Sequence, residues 1–122
     1  AQAMLAHLAH FESQGARLGR VVLDSPMAAD VTELYRRSAD FLKPEALAQA
    51  GGRLPAPSRL EFAREPEQSM ALNREQNAII LAASGMCDAG RIQHHLKHNL
   101  WRPEAQVVIV GYQAEGSIGR QL

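Results

Sequence analysis

The groups able to do chemistry in this chain sit in three short stretches, each just after an apolar run. Asp24-Ser25-Pro26-Met27 follows Val21-Val22-Leu23. Ser84-Gly85-Met86-Cys87-Asp88 follows Ala78-Ile79-Ile80-Leu81-Ala82-Ala83. Gly111-Tyr112-Gln113-Ala114-Glu115-Gly116-Ser117 follows Val107-Val108-Ile109-Val110. A small-residue loop that leaves a strand and opens a helix offers backbone N–H groups and the positive end of a helix dipole. The chemistry expected at such loops is the holding of an anion, with amides and hydroxyls contacting phosphate.

Covalent and metal chemistry is less well provided for. The spacing of Gly111 and Gly116 matches a P-loop, but Ser117 and Ile118 stand where Lys and Ser/Thr would reach phosphates and magnesium. The dinucleotide fingerprint lacks its second glycine. Two readings stay open for this loop: a backbone anion site, or a turn at Gly111 with Gly116 and Gly119 permitting close packing. Ser84 lacks the G-x-S-x-G frame of a nucleophile turn, since Ala82 and Met86 flank it. His94 and His98 share a helix face, as in H-E-x-x-H zinc sites, yet Leu96 and Lys97 replace the Glu base and no third ligand is evident. The alternative is a polar, partly basic helix face with Arg91 and Lys97. Asp24 reads either as a general base or metal ligand, or as a carboxylate satisfying N–H groups near a helix start. Cys87 reads as a loop or partly buried thiol. Trp101 reads as a core or cap residue, with base stacking the alternative.

The elements that must position these loops follow from periodicity. Met4, Leu5, Leu8 and Phe11 share one face of a helix over residues 1–13. Residues 20–24 form a buried parallel strand. Ser25 caps the next helix and Pro26 suits its first position. Val31, Leu34, Tyr35, Ser38, Phe41 and Leu42 recur at helical spacing until Pro44. Residues 44–58 are an exposed excursion, with one or two helical turns at 45–50. Residues 59–63 are an edge strand and 66–73 a short helix. Residues 78–83 are the central strand. Residues 88–101 form a helix burying Ile92, Leu96 and Leu100, stopped by Pro103. Residues 106–110 are the last strand. Alternating strands and helices imply a single domain over 1–122 of α/β class, a Rossmann-like three-layer fold with a mostly parallel sheet and helices on both faces. The three loops then share the edge at the strand C-termini, the usual ligand crevice.

Composition sets limits. Of 122 residues, 46% are hydrophobic, enough for a folded core. Thirteen basic and thirteen acidic residues cancel, so a nucleic-acid role is expected to be local or shared with another domain. A single Cys87 excludes an internal disulfide. That usage, with no signal peptide and no apolar run near membrane length, leads us to expect a cytoplasmic protein. The first residue is not Met and a helix pattern is under way at both ends, so the chain reads as an excised piece of a larger protein.

Taken together, the motifs resemble those of the β-CASP domain inserted in RNA-processing metallo-β-lactamase nucleases. The resemblance runs through Val22-Leu23-Asp24-Ser25-Pro26-Met27-Ala28, then Ser84-Gly85-Met86 with Gly90-Arg91 and His94-His95-Leu96. It continues through Gly111-Tyr112-Gln113-Ala114-Glu115-Gly116 with Gly119-Arg120. Ser117 stands where Thr is commoner in that family and keeps the hydroxyl. The resemblance implies a parent enzyme in which two zinc ions, held by the metallo-β-lactamase domain, activate water against an RNA phosphodiester. The family's H-x-H-x-D-H run and its downstream histidine motifs are absent here. No catalytic or metal-ligating residue therefore maps onto this sequence, and no cofactor is expected in the fragment, which alone should be inactive. What carries over is a wall that clamps single-stranded RNA, with DNA a substrate of some family members. By resemblance Ser25, Ser84, Gly85, Met86, Tyr112, Gln113 and Arg120 face the cleft, while Arg91 and His95 contact RNA phosphate or the metallo-β-lactamase domain.

Two other classes remain in view. A small nucleotide-binding module would use the glycine loop without catalysis. A protein-interaction module would dock a partner on the 88–101 helix through Ile92, Leu96 and Leu100. In the clamp reading, the surface normally covered by the nuclease domain can drive dimers of the isolated piece.

Overall fold

The computed structural model describes residues 1–41 and 54–122. The turns expected at 45–50, and most of the 44–58 excursion, lie outside the described residues. Three strands build the sheet: β1 (Arg20–Asp24), β2 (Leu60–Phe62) and β3 (Ala78–Ala82). Their order is β2-β1-β3 and both pairings are parallel. Around them lie α1 (Gln2–Ser13), α2 (Pro26–Arg37), α3 (Pro66–Ala71), α4 (Arg91–Asn99) and α5 (Ile118–Gln121). Short 3-10 turns follow α2 and α3.

The period of two along β1 explains the layers. Val21 and Leu23 point to one face, where they pack with Leu5 and Leu8 of α1, Ala28 of α2, and Phe62, Ile79 and Leu81 of the neighbouring strands. Val22 points to the other face and packs with Ala63, Leu72 and Ile80. Both faces are covered, which is why β1 is apolar throughout instead of alternating. The fold is therefore α/β, with a parallel sheet between helical layers.

Local chemistry fixes where the helices begin. Ser25 Oγ accepts from Ala28 N at 3.2 Å and Pro26 opens α2. Before α3, Gln68 Oε1 accepts from the Arg64 and Glu65 backbone N–H groups at 2.9 and 3.1 Å, half of a capping box. At the far end of the sheet, Arg20 bridges Glu61 and Glu75, each at 2.7 Å.

Strand order defines a switch point. From β1 the chain crosses to β2 on one side, and it returns from β2 to β3 on the other. The connections that leave the C-termini of β1 and β3 diverge there, which opens a crevice outside those two strand ends.

Several expected features differ. Residues 106–110 pair with no strand among the described residues. Val108 and Val110 are 76% and 70% exposed. β-branched composition favours an extended backbone, but a strand needs a ladder for its N–H and C=O groups. The helix expected from 88 starts at Arg91, because Asp88 is drawn off to cap another helix. Leu100 and Trp101 are exposed, not core, since the helix ends at Asn99. On α2, Ala29 and Thr32 are buried while Leu34 faces outward, and Phe41, in the 3-10 turn that follows, is exposed.

Candidate nucleic-acid interface

Asp24 and Ala82 are register partners at the ends of β1 and β3. Ser25 and Ala83-Ser84 therefore leave the sheet side by side, flanking the switch point. The third loop is brought to the same place by hydrogen bonds. Gln113 Nε2 donates to the Gly85 carbonyl at 2.8 Å. Gly119 N donates to the Met86 carbonyl at 2.9 Å. Ile118 N donates to Asp88 Oδ1 at 2.8 Å. All three expected loops converge on one rim.

Two glycines allow this approach. Gly90 has φ 77° and an added Cβ would lie 3.2 Å from the Ala83 carbonyl oxygen. A Cβ on Gly119 would stand 1.8 Å from Gln113 Oε1 and 3.2 Å from the Met86 carbonyl oxygen. Only a bare Cα lets the Gln113 amide pass across α5 to reach Gly85.

The candidate residues separate into outward and inward groups. Gly85, Tyr112 and Arg120 are exposed, Tyr112 at 80%. Ser84, Met86 and Gln113 are half-buried. Ser25 is buried and its hydroxyl oxygen is engaged in the α2 cap. The α5 N-terminus is likewise engaged, by Asp88 and by Ser117 Oγ, which accepts from Arg120 N at 3.3 Å.

Arg91 and His95 point inward. Arg91 Nη1 donates to Asp24 Oδ1 at 2.7 Å and to the Ala63 carbonyl at 2.8 Å, and Nη2 donates to the Arg64 carbonyl at 2.6 Å. His95 Nε2 lies 2.6 Å from Asp24 Oδ2, which also accepts from Ser69 Oγ. The Asp24 side chain is wholly inaccessible. Burial pushes its carboxyl upward, but the bonds from Ser69, His95 and Arg91 outweigh it and hold the group below the usual carboxylate range. The carboxylate is satisfied by side chains, Ser69 of α3 and Arg91 and His95 of α4, instead of by the N–H groups of its own loop.

Ser69, Asn73, Asn99 and Arg102 also take part in this architecture, and none is a candidate from its local sequence. One signal was available. Arg91, His95, Asn99 and Arg102 recur at four, four and three residues, a polar stripe beside apolar Ile92 and Leu96. Among the described residues, no three metal-ligating side chains come together. His94 and His98 are both exposed. No helix of the described residues is long and apolar enough to cross a membrane.

A parallel α/β domain whose small-residue loops gather at a switch point is of the Rossmann-like α/β class, in which ligands bind outside the strand C-termini. Comparison with known proteins names the family. The family model described as the Beta-Casp domain matches residues 1–122, and the chain belongs to that family. It is 43% identical over 115 residues to Ribonuclease TTHA0252 of Thermus thermophilus, covering 90% of this chain and 27% of that protein. It is 31% identical over 91 residues to the RNase J-like protein of Methanocaldococcus jannaschii, covering 75% of this chain and 20% of that protein. Transcription termination factor FttA of the same organism is 36% identical over 56 residues, covering 46% of this chain and 9% of the factor. The chain thus spans about a quarter of the length of Ribonuclease TTHA0252 and a fifth of the RNase J-like protein.

Proposed function

We propose that this domain is one wall of an RNA-binding cleft in a longer ribonuclease, and that it grips substrate without cleaving it. The observation that carries the reading is the convergence of the three loops at the β1/β3 switch point. There, Gly85, Tyr112 and Arg120 are exposed on the two segments that the Gln113, Gly119 and Ile118 bonds bring together. An aromatic face stacks on any base and an arginine pairs with any phosphate, so the expected recognition is of single-stranded backbone and shape, not of sequence. The names of two relatives, a ribonuclease and an RNase J-like protein, support the substrate class.

The partner in this reading is a metallo-β-lactamase domain of the same parent, which would supply two zinc ions and the hydrolytic chemistry. No step of the reaction is assigned to this chain's residues. A shallow concavity of about 320 Å³ lies against α2, lined by Asp30, Glu33, Leu34 and Arg37. It is away from the rim. Leu100, Trp101 and Val107 to Val110 are exposed, and we expect them to make the isolated domain self-associate.

The test compares the longer protein with the 122-residue domain alone. The longer protein is expected to cleave RNA and hold zinc; the domain is expected to do neither. Stoichiometric zinc and RNA cleavage by the domain alone would reject the reading.

A further inference from the structure

Behind the rim, five polar side chains stand in line: Arg102, Asn99, Asn73, His95 and Asp24. Each contact fixes the polarity of the next. Arg102 can only donate, so its Nη1, 3.0 Å from Asn99, faces the Asn99 amide oxygen. The Asn99 amide nitrogen lies 2.9 Å from the His95 carbonyl, which can only accept. Asn99 is thereby held in one orientation. Its nitrogen faces Asn73 at 3.4 Å, so the Asn73 atom at that position is its oxygen.

That Asn73 oxygen lies 3.1 Å from His95 Nδ1. An acceptor there requires a hydrogen on Nδ1. Across the ring, Nε2 lies 2.6 Å from the Asp24 carboxylate, another acceptor, and requires a hydrogen too. Neutral imidazole carries one N–H; this ring faces two acceptors and needs two.

We propose that His95 is held as an imidazolium, protonated on both nitrogens, and that with Arg91 it is a positioning residue for the anion-facing rim. The positioning role rests on the reading of that rim as the RNA-binding edge. The groups around the ring are few. Asp24 faces it from β1, Asn73 from the turn after α3, and Arg91 and Asn99 from its own helix. Ser69 of α3 shares the carboxylate. One carboxylate between two cations leaves a surplus of positive charge below Ser25 and the 84–90 loop. Within a poorly solvated interior such a charge acts on a bound polyanion without touching it. The same carboxylate ties the end of β1 to the first turn of α4, which fixes how the first two loops stand relative to each other.

The test uses the longer protein that carries this domain, labelled with nitrogen-15 in histidine only. The His95 ring signals, identified by their loss in His95→Gln, are expected to show hydrogens on both nitrogens in neutral buffer. In Asn73→Ala, the same ring is expected to lose the Nδ1 hydrogen and keep the one on Nε2, a change that simple packing would not produce. A wild-type ring with a single hydrogen overturns the proposal. His95→Gln is also expected to raise KM for RNA several-fold, by more than it changes kcat. An unchanged KM overturns the positioning role. A wild-type protein that binds no RNA rejects the cleft reading instead, while the nitrogen-15 signals still decide the charge of His95.

Discussion

The Gln113 side-chain amide donates to the Gly85 carbonyl at 2.8 Å, joining loops 28 residues apart. With the Gly119–Met86 and Asp88–Ile118 bonds, it makes one rim from segments that share no strand pairing. The position of the third loop therefore depends on these few bonds and on the space Gly119 leaves.

Gly119→Ala should disturb this rim at modest cost. The added methyl displaces Gln113, a flexible side chain, and breaks its bond to Gly85. We expect a loss of about 1 kcal/mol in denaturant unfolding, with a larger fall in RNA affinity of the longer protein. Gly90→Ala should cost about 1–3 kcal/mol, because a side chain at φ 77° is strained and faces a backbone carbonyl that cannot move aside.

Asp24→Asn should be far more damaging than any surface charge change. It leaves Arg91 and His95 without their counter-charge in a buried corner, with an expected loss of about 3–5 kcal/mol. The Glu33–Arg37 pair, at 3.1 Å on the exposed face of α2, is the comparison. Glu33→Ala should cost only about 0.3–0.5 kcal/mol.

Acid stability should carry the signature of the same carboxylate. The folded-state pKa of Asp24 is depressed, so its contribution is complete above the unfolded carboxylate value of about 4. It is lost as the pH falls from there through the lower folded value. Wild-type stability should drop over that acid window. In Asp24→Asn the Asp24 part of that drop should vanish, giving a shallower slope in unfolding measured between about pH 5 and pH 2.

Tyr112→Ala should separate binding from folding. Tyr112 is 80% exposed, so stability should change by less than about 0.5 kcal/mol. Loss of one stacking platform should weaken single-stranded RNA binding by the longer protein by about 1–3 kcal/mol. Equilibrium binding to an unstructured RNA oligomer measures it.

The layered α/β architecture was legible because β1 and β3 are continuous apolar runs followed by helix caps such as Ser25-Pro26. The convergence of the loops was legible for the same reason, since parallel strands place their exits at one edge. What stayed hidden were the long-range polar ties. Nothing local in Asn73 or Ser69 says that it will meet a residue of β1 or α4, and Asp24 taken alone fits several roles. The polar stripe of α4 was visible, but its outward or inward direction depends on packing. The run Val107 to Val110 shows the opposite error: strand composition is local, whereas strand pairing needs a partner.

Photo-crosslinking tests the central claim most directly. Single-stranded RNA carrying a photoreactive base would be bound to the longer protein and irradiated, and the modified peptides mapped. The account predicts adducts within this domain at Ser84 to Met86 and at Tyr112 to Gln113. Adducts confined instead to the opposite end of the sheet, around Gly19-Arg20 and Gln76-Asn77, would contradict it.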